Sequence, residues 1–188
     1  MGEAAMRQVG DLVYADGDIL GNADMADGVD LFHADHGNLP TGATPSITSL
    51  GAAVLAMAKQ TDIASLRKLN IIPEYFIAPK GHEVVCEQLF RSSLEGTQAK
   101  PNLINPYSGS YFTRIYEIRL DPSSGNLPWY LAARKGKTVT VCFLEGSNQR
   151  PILERQQLLS TDGVKFRVTL DACAFARDYR GLIKNVGA

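Results

Sequence analysis

The stretch MADGVDLFHADHGNL, which runs from Met25 to Leu39, carries the most informative pattern in this 188-residue chain. Its residues His33, Asp35 and His36 supply the nitrogen and oxygen donors that zinc and iron bind, so one interpretation is a metal-dependent hydrolase centred on these three side chains. The stretch lacks the HExxH spacing that points two imidazoles at one ion from a helix. Gly37-Asn38 is a turn signal, and Asp and His side chains in such loops commonly bond the local backbone. We therefore favour an ordered structural loop over a metal centre.

No other motif in the chain indicates catalysis or a bound cofactor. The sequence has neither the GxSxG pattern of a nucleophilic serine nor the GxGxxG and P-loop lysine patterns of nucleotide sites. His82, at the expected start of a helix, is predicted to face solvent or to cap the helix rather than to act as a base. The sequence thus predicts no catalytic, cofactor-binding or metal-ligating residue and a protein that is not an enzyme.

The composition is that of an ordinary globular protein, with 45% hydrophobic and 21% charged residues. No apolar run approaches the roughly 18 residues that a membrane-spanning helix needs, so no membrane partner is expected. The three cysteines, Cys86, Cys142 and Cys173, have no metal-like spacing. They are predicted to be buried, reduced core residues of a protein made in a cytosol.

Charge is distributed unevenly along the chain. Residues 1–36 contain eight acids and one base, a net charge of −7, whereas the other 152 residues contain eighteen bases and twelve acids, a net charge of +6. The basic residues are dispersed rather than clustered, which argues against sequence-specific nucleic-acid binding. The segregation suits a molecule that meets copies of itself head to tail, although two solvated surfaces would explain it equally well.

Hydrophobic periodicity predicts helices in the first half of the chain and strands in the second. The first helix opens the chain and ends at Asp18–Asn22, and residues 22–45 form a loop. The second begins at Thr44–Pro45. The third spans about Glu83–Leu94, with Val84, Val85, Leu89 and Phe90 directed inward. Strands are predicted at 71–78, 111–120, 129–133, 138–144 and 152–158, and at 164–174 as one half-buried antiparallel strand. This order indicates an α+β fold.

Three sets of residues resemble major capsid proteins of tailed bacteriophages, in the Mu-like major head subunit group. The first set is Met25–Gly28, Leu31–His33 and His36–Leu39, the second is Ile72–Pro79, and the third joins Asp162–Val168 to Asp178–Asn185. Together they are similar to the carboxyl-terminal part of such a protein with the Hong Kong 97 type of fold.

The resemblance implies a division into lobes. A peripheral lobe would take residues 1–40 and 160–188, with a truncated spine helix and a final long strand, and an axial lobe would take residues 41–159. The amino-terminal arm, the extended loop and most of the spine helix of that family have no counterpart in the sequence, so the chain is expected to be a carboxyl-terminal fragment.

The resemblance also implies a function. It predicts a structural major head protein of a tailed phage or prophage that assembles with copies of itself, as pentamers and hexamers, into an icosahedral shell around double-stranded DNA. Scaffolding or decoration proteins are further expected partners, and the DNA would be enclosed without sequence-specific binding. The expected location is the virion, after synthesis in the host cytoplasm. A bacterial encapsulating shell protein of the same fold is an alternative.

Overall fold

The computed structural model of the chain describes residues 2–15, 19–97, 100–123, 125–145, 149–158 and 163–188. It combines helices with mixed β-sheets, which confirms the predicted α+β class. Short 3₁₀ turns lie at Lys80–His82 and Ile118–Leu120. The helices are α1 (Gly2–Tyr14), α2 (Ile19–Asn22), α3 (Ile47–Ala58) and α4 (Glu83–Arg91), and the strands are β1 (Pro73–Pro79), β2 (Leu94–Thr97), β3 (Lys100–Ile104), β4 (Thr113–Glu117), β5 (Trp129–Ala133), β6 (Val139–Phe143), β7 (Ile152–Leu158), β8 (Gly163–Thr169), β9 (Ala172–Ala176) and β10 (Leu182–Asn185).

A four-stranded sheet in the order β10-β5-β1-β4 organises the chain. β5 runs antiparallel to both of its neighbours, and β4 is parallel to β1. The two edge strands are therefore β10 and β4. Three antiparallel two-stranded pairs, β2-β3, β6-β9 and β7-β8, accompany this sheet in the described parts of the chain.

Each face of the four-stranded sheet supports a hydrophobic core, because successive side chains of a strand point to opposite faces. Phe76, Trp129 and Leu131 pack on one face with side chains of α3 and α4. Ile77 and Tyr130 pack on the other face with residues of α2 and of the loop that follows it. Burial on both faces explains why β5 reads as a continuous apolar run, WYLAA, rather than as an alternation.

The two longer internal helices differ in detail from their predictions. α3 begins after Ser46, not at Thr44–Pro45, because the Ser46 and Ser49 side chains cap each other's backbone N–H groups in a reciprocal capping box. α4 buries Cys86 and Phe90, which lie four residues apart on one face. The inward orientation predicted for Phe90 and Leu89 is confirmed, because both pack in the core on that side of the helix. The same prediction is wrong for Val84 and Val85, which lie off that face and are 67% and 50% exposed.

The single strand predicted at 164–174 is two strands, β8 and β9. β8 pairs with β7, whereas β9 pairs with β6, and the chain changes partner at Leu170–Asp171. Val164 and Phe166, predicted to lie on a buried side, are 40% and 49% exposed. A two-stranded ribbon has no second layer of its own to cover its apolar side, and period-two alternation cannot reveal whether another layer is present.

The cysteine prediction holds for one residue of three. Cys86 is buried, and its burial raises the pKa of the thiol to about 12. Cys142 and Cys173 are exposed, so their predicted burial is wrong. These two residues are direct partners in the β6-β9 pair, where their side chains point away from the core.

The first helix and the sheet bear on the remaining predictions, which concern where the helix ends and how the chain divides into lobes. α1 ends at Tyr14 and a single helical turn, α2, follows, whereas residues 16–18 of the predicted helix end lie outside the described residues, as does Asp162. The four-stranded sheet joins β10, from the 160–188 segment, to strands from the 41–159 segment. The division into lobes stays a prediction. None of the described helices has the length and apolar character needed to cross a bilayer.

Candidate functional site

The histidine loop, defined here as residues 23–39, begins with a tight turn that its own side chains close. Asp24 and Asp30 form an isolated antiparallel bridge, and the Asp27 Oδ1 atom accepts a hydrogen bond from the Val29 N–H at 3.1 Å. Gly28 adopts a φ of 78°, in the left-handed region that favours glycine. Within this turn, the Asp27 carboxylate therefore bonds the local backbone.

His36 lies at the centre of the loop, with a side chain that is only 5% exposed. Its Nδ1 atom is 3.1 Å from the Leu31 carbonyl oxygen, and its Nε2 atom is 2.9 Å from Asp27 Oδ2. The hydrogen bond from His36 is the largest of the causes that hold the pKa of Asp27 below its usual value, and the Val29 N–H adds to it. Both imidazole nitrogens thus face oxygen acceptors, and neither directs a lone pair towards open space.

His33 and Asp35 lie at the surface of the same loop. Their side chains are 46% and 79% exposed. The Asp35 N–H donates to His33 Nδ1 at 3.2 Å, and the Asp35 Oδ2 atom is 3.3 Å from the same nitrogen. The His33 and His36 rings are 6.4 Å apart, centroid to centroid. The three candidate ligands are therefore close in space but turn to different partners, and within the described residues no group of three or more His, Cys, Asp or Glu side chains could hold a metal ion.

Asn38 connects the loop to itself and to the sheet. Its side chain is fully buried, donates to the Leu31 carbonyl at 2.7 Å and accepts from the His33 N–H at 3.1 Å. Its own carbonyl accepts from the N–H of Lys184 in β10 at 3.0 Å. In the sequence, Asn38 is visible only as half of the Gly37-Asn38 turn signal. No sequence pattern distinguishes an asparagine whose buried amide bonds two backbone groups of its loop from an asparagine in an exposed turn.

Side chains from elsewhere cover the loop. The His36 ring stacks on Tyr179 with centroids 4.0 Å apart and an angle of 9° between the planes. The Gln60 side chain, at the end of α3, donates to the His36 carbonyl at 2.9 Å. The Arg180 guanidinium lies over the other ring of the stack, 4.8 Å from the Tyr179 centroid. The histidine loop is thus a structural connection between α3 and the carboxyl-terminal strand.

His82 is the remaining histidine, and its prediction as a solvent-facing or capping residue is wrong. The residue is 8% exposed and makes no side-chain cap for α4, although it precedes that helix. Its Nε2 atom is instead 3.1 Å from the Leu127 carbonyl oxygen. The 3₁₀ turn before α4 turns the imidazole towards the loop that leads into β5, which a helix-start pattern does not encode.

Exposed aliphatic side chains are the second notable feature of the molecule. Ile63 and Leu66, in the segment between α3 and β1, are 91% and 82% exposed, and Val84 and Val85 of α4 are also largely exposed. Large exposed apolar patches on a folded protein commonly mark contact surfaces. These two pairs of residues, one in the 60–69 segment and one on α4, are therefore candidate contact positions.

The chain matches the family of phage capsid proteins over residues 1–185. It belongs to that family. Among solved structures, this phage capsid family member is similar to a chain of the holo-SrpI encapsulin complex from Synechococcus elongatus PCC 7942, determined by cryo-electron microscopy, with 11% sequence identity and a TM-score of 0.58. The likeness covers 98% of this chain and 62% of that one. No curated protein sequence matches the chain.

These findings confirm the family that the sequence motifs predicted, and they confirm the Hong Kong 97-like fold shared with the encapsulin. The chain spans less than two thirds of the encapsulin chain's length. The fold and the family membership of the chain are therefore established.

Proposed function

We propose that this protein is a shell-forming structural subunit, the major head protein of a tailed phage or prophage, which assembles with its own copies into an icosahedral shell around double-stranded DNA. The observation that carries the proposal is the match to phage capsid proteins over residues 1–185, nearly the entire chain. The likeness to an encapsulin chain over 98% of this chain supports it independently through the fold.

A non-enzymatic role follows from the same proposal. The imidazole of His36 and the carboxylate of Asp27 serve the internal hydrogen bonds of a loop, and the Cys86 thiol is buried with a raised pKa. Groups in such surroundings are poor ligands and nucleophiles, because their lone pairs are engaged or their charged forms are disfavoured. The subunit would act through its contact surfaces and would carry no cofactor.

The partners of the proposed subunit are first its own copies, in pentamers and hexamers. Scaffolding or decoration proteins would join them, and the enclosed DNA would be held without sequence-specific contacts. In this proposal residues 1–40 and 160–188 contribute to a peripheral lobe and residues 41–159 to an axial lobe. The protein would be made in the host cytoplasm and would reside in the virion.

A bacterial encapsulating shell is the second candidate, favoured specifically by the encapsulin neighbour. The two candidates share the fold and differ in the contents of the shell. A metal-dependent hydrolase centred on His33, Asp35 and His36 receives no comparable support, because the ring nitrogens of His36 already face oxygen acceptors.

The decisive experiment is to purify particles from cells that express the complete native gene in its genomic context. Electron microscopy and light scattering measure shell formation, and nuclease protection and mass spectrometry identify the contents. Closed shells that protect double-stranded DNA support the head-protein proposal. Shells that enclose a protein cargo without DNA support the encapsulating alternative, and a protein that stays monomeric under all conditions contradicts both.

A further inference from the structure

Cys142 and Cys173 lie directly opposite each other in the β6-β9 pair. The register of this antiparallel pair matches Cys142 with Cys173 and, two residues along, Thr140 with Phe175. Residues that lie opposite each other in an antiparallel pair direct their side chains to the same face, so both thiols lie on one side of the two strands. That side faces solvent, because both cysteines are exposed. The backbone therefore holds two accessible thiols side by side.

The hydrogen bonds between β6 and β9 fix the separation of the two cysteines. Just beyond the ends of the strands, the Leu144 N–H donates to the carbonyl of its opposite residue, Asp171, at 3.2 Å. Hydrogen-bonded pairs recur at every second residue of an antiparallel ladder, so Cys142 and Cys173 also form such a pair. The α-carbons of a hydrogen-bonded pair are about 5.5 Å apart, within the range of roughly 4.4–6.8 Å that a disulfide spans. A disulfide can therefore form without a change of register.

The two side chains must approach each other slightly for the bond to close. Opposite β-carbons of an antiparallel pair are about 4.5–5.5 Å apart, and those of a disulfide are about 3.5–4.5 Å apart. A closure of about 1 Å leaves some strain in the bond. Strained or exposed disulfides have more oxidising potentials than the structural disulfides of secreted proteins, and they are reduced more readily. The geometry is thus suited to reversible oxidation rather than to a permanent crosslink.

Cys86 is excluded from this chemistry by its surroundings. It lies on the buried face of α4, and burial raises the pKa of its thiol to about 12. Because the thiolate and not the thiol attacks a disulfide, a cysteine with such a pKa reacts very slowly at neutral pH. Oxidation should therefore select the two exposed cysteines among the three of the chain.

We propose that Cys142 and Cys173 form a reversible disulfide across the β6-β9 pair when the protein meets a small-molecule disulfide oxidant such as oxidised glutathione. One cysteine thiolate attacks a sulfur of oxidised glutathione, which leaves a mixed disulfide and releases one glutathione thiolate. The other cysteine thiolate then attacks the protein sulfur of the mixed disulfide and releases the second glutathione. The protein loses two electrons and two protons, and oxidised glutathione takes up both as it becomes two molecules of glutathione.

The disulfide would stabilise the folded chain. β7 and β8 lie between the two cysteines in the sequence, so the bond closes a loop of about 30 residues. A closed loop of this length removes conformational entropy from the unfolded chain. The inner side of the β6-β9 pair packs on the core through Val139, Ala174 and Ala176, so the bond joins two strands that are already held together.

The timing of oxidation is the one step that rests on the proposed function. A reducing cytosol keeps strained, exposed disulfides open, whereas extracellular surroundings favour the bond. A subunit made in a host cytoplasm would therefore fold and assemble with both thiols reduced. In a particle that has left the cell the same pair would oxidise, so that the added stability follows assembly.

The test measures thiols and stability in the purified complete protein at fixed ratios of reduced to oxidised glutathione. In oxidising buffer, alkylation of the unfolded chain should label one thiol instead of three, and mass spectrometry should show Cys142 joined to Cys173 within one chain. In urea denaturation, the unfolding equilibrium constant of the oxidised protein should be about 100-fold smaller than that of the reduced protein. C142S and C173S should each remove this difference.

The double change C173S and F175C is the matched control. It keeps two exposed cysteines on the same face, since Phe175 is 47% exposed, but moves one of them two residues along β9. Diagonal positions of this kind are about 7–8 Å apart, beyond the usual reach of a disulfide. This variant should therefore form no disulfide within the chain.

Three free thiols in oxidising buffer, links found only between chains, or equal closure in the C173S and F175C variant would each overturn the disulfide. The timing is measured on particles by blocking thiols with N-ethylmaleimide before cell lysis and, in a second sample, after release. Reduced cysteines before lysis and a disulfide after release support the proposed timing, and the same state in both samples overturns it. Because the chemistry is measured on the purified chain, a protein that closes the disulfide but forms no shells contradicts the proposed function alone.

Discussion

The histidine loop and the 60–69 loop, which follows α3 in the segment before β1, are both ordered by internal hydrogen bonds, yet their side chains differ in exposure to water. The first is rich in Asp, Asn and His, and its Leu31, His36 and Asn38 side chains are buried. The second carries two large aliphatic side chains at its tip, and both are almost fully exposed. The polar residues of the histidine loop therefore organise the subunit, whereas Ile63 and Leu66 of the 60–69 loop face solvent. In these two loops, the type of a side chain does not predict whether the side chain is buried or exposed.

The largest expected effect comes from the same substitution made in both loops. L31A should lower the free energy of unfolding by about 2–5 kcal/mol, because the side chain is fully buried and its removal leaves a cavity. L66A should change it by less than about 0.5 kcal/mol, because the side chain is already in water. Urea denaturation of the two variants measures both values. Equal losses would mean that the 60–69 loop is packed within the subunit.

A smaller loss is expected at the buried amide of the histidine loop. N38A leaves the Leu31 carbonyl and the His33 N–H without their partner, which should cost about 2–3 kcal/mol of unfolding free energy. N126A, at an exposed asparagine, serves as the control and should be close to neutral. The comparison is made by urea denaturation at neutral pH, and a neutral N38A would show that water replaces the amide.

The pH dependence of the loop sharpens the comparison further. The pKa of Asp27 in the folded protein is depressed, chiefly by the hydrogen bond from His36. A depressed carboxyl pKa contributes stability above its unfolded value, near 3.8, and loses that contribution as the pH falls through the folded value. D27N should therefore be less stable than wild type at pH 6, and the difference should disappear in strong acid.

The matched variant for this experiment is D35N, which removes a carboxylate from the surface of the same loop without touching the buried imidazole. We expect its stability to follow wild type much more closely than D27N does when unfolding is measured at pH 6 and at pH 3. If D35N matches or exceeds the loss of D27N, the bond to His36 is not the source of the effect.

The smallest expected effect concerns bound zinc, of which we expect less than one equivalent per chain. Purified protein incubated with zinc and then dialysed should hold less than one equivalent by elemental analysis, since both His36 nitrogens face oxygen acceptors. H33A should leave that amount unchanged. Stoichiometric zinc that is lost in H33A and again in D35N would replace the structural interpretation of the loop with a metal site.

Sequence patterns predict the bounds of an element well when those bounds depend on its own residues. The apolar run Trp129–Ala133 and the segment Ile152–Leu158 have the bounds that were predicted. The capsid resemblance also succeeded, because its motifs are spread over most of the chain. The structural interpretation of the histidine loop rests on the Gly37-Asn38 turn signal and on the absence of metal-ligand spacing.

The failures share a physical cause, which is that the environment of an element depends on what covers it. Val84 and Val85 are apolar residues of a helix, yet α4 turns a different stripe to the core. Cys142 and Cys173 alternate correctly along their strands and still face outward. Asn38 could not be distinguished from any other turn residue, because its bonds reach residues that only the folded chain brings near.

The hydrogen bond from Arg180 to the Thr61 carbonyl has a consequence for the order of events during synthesis. Residues 60–69 leave the ribosome more than a hundred residues before Arg180 and the strand β10 that follows it. A nascent chain therefore contains Ile63 and Leu66 long before Arg180, which bonds the base of their loop, has been synthesised. The loop can therefore take its place beside β10 only when synthesis has reached the carboxyl-terminal strand.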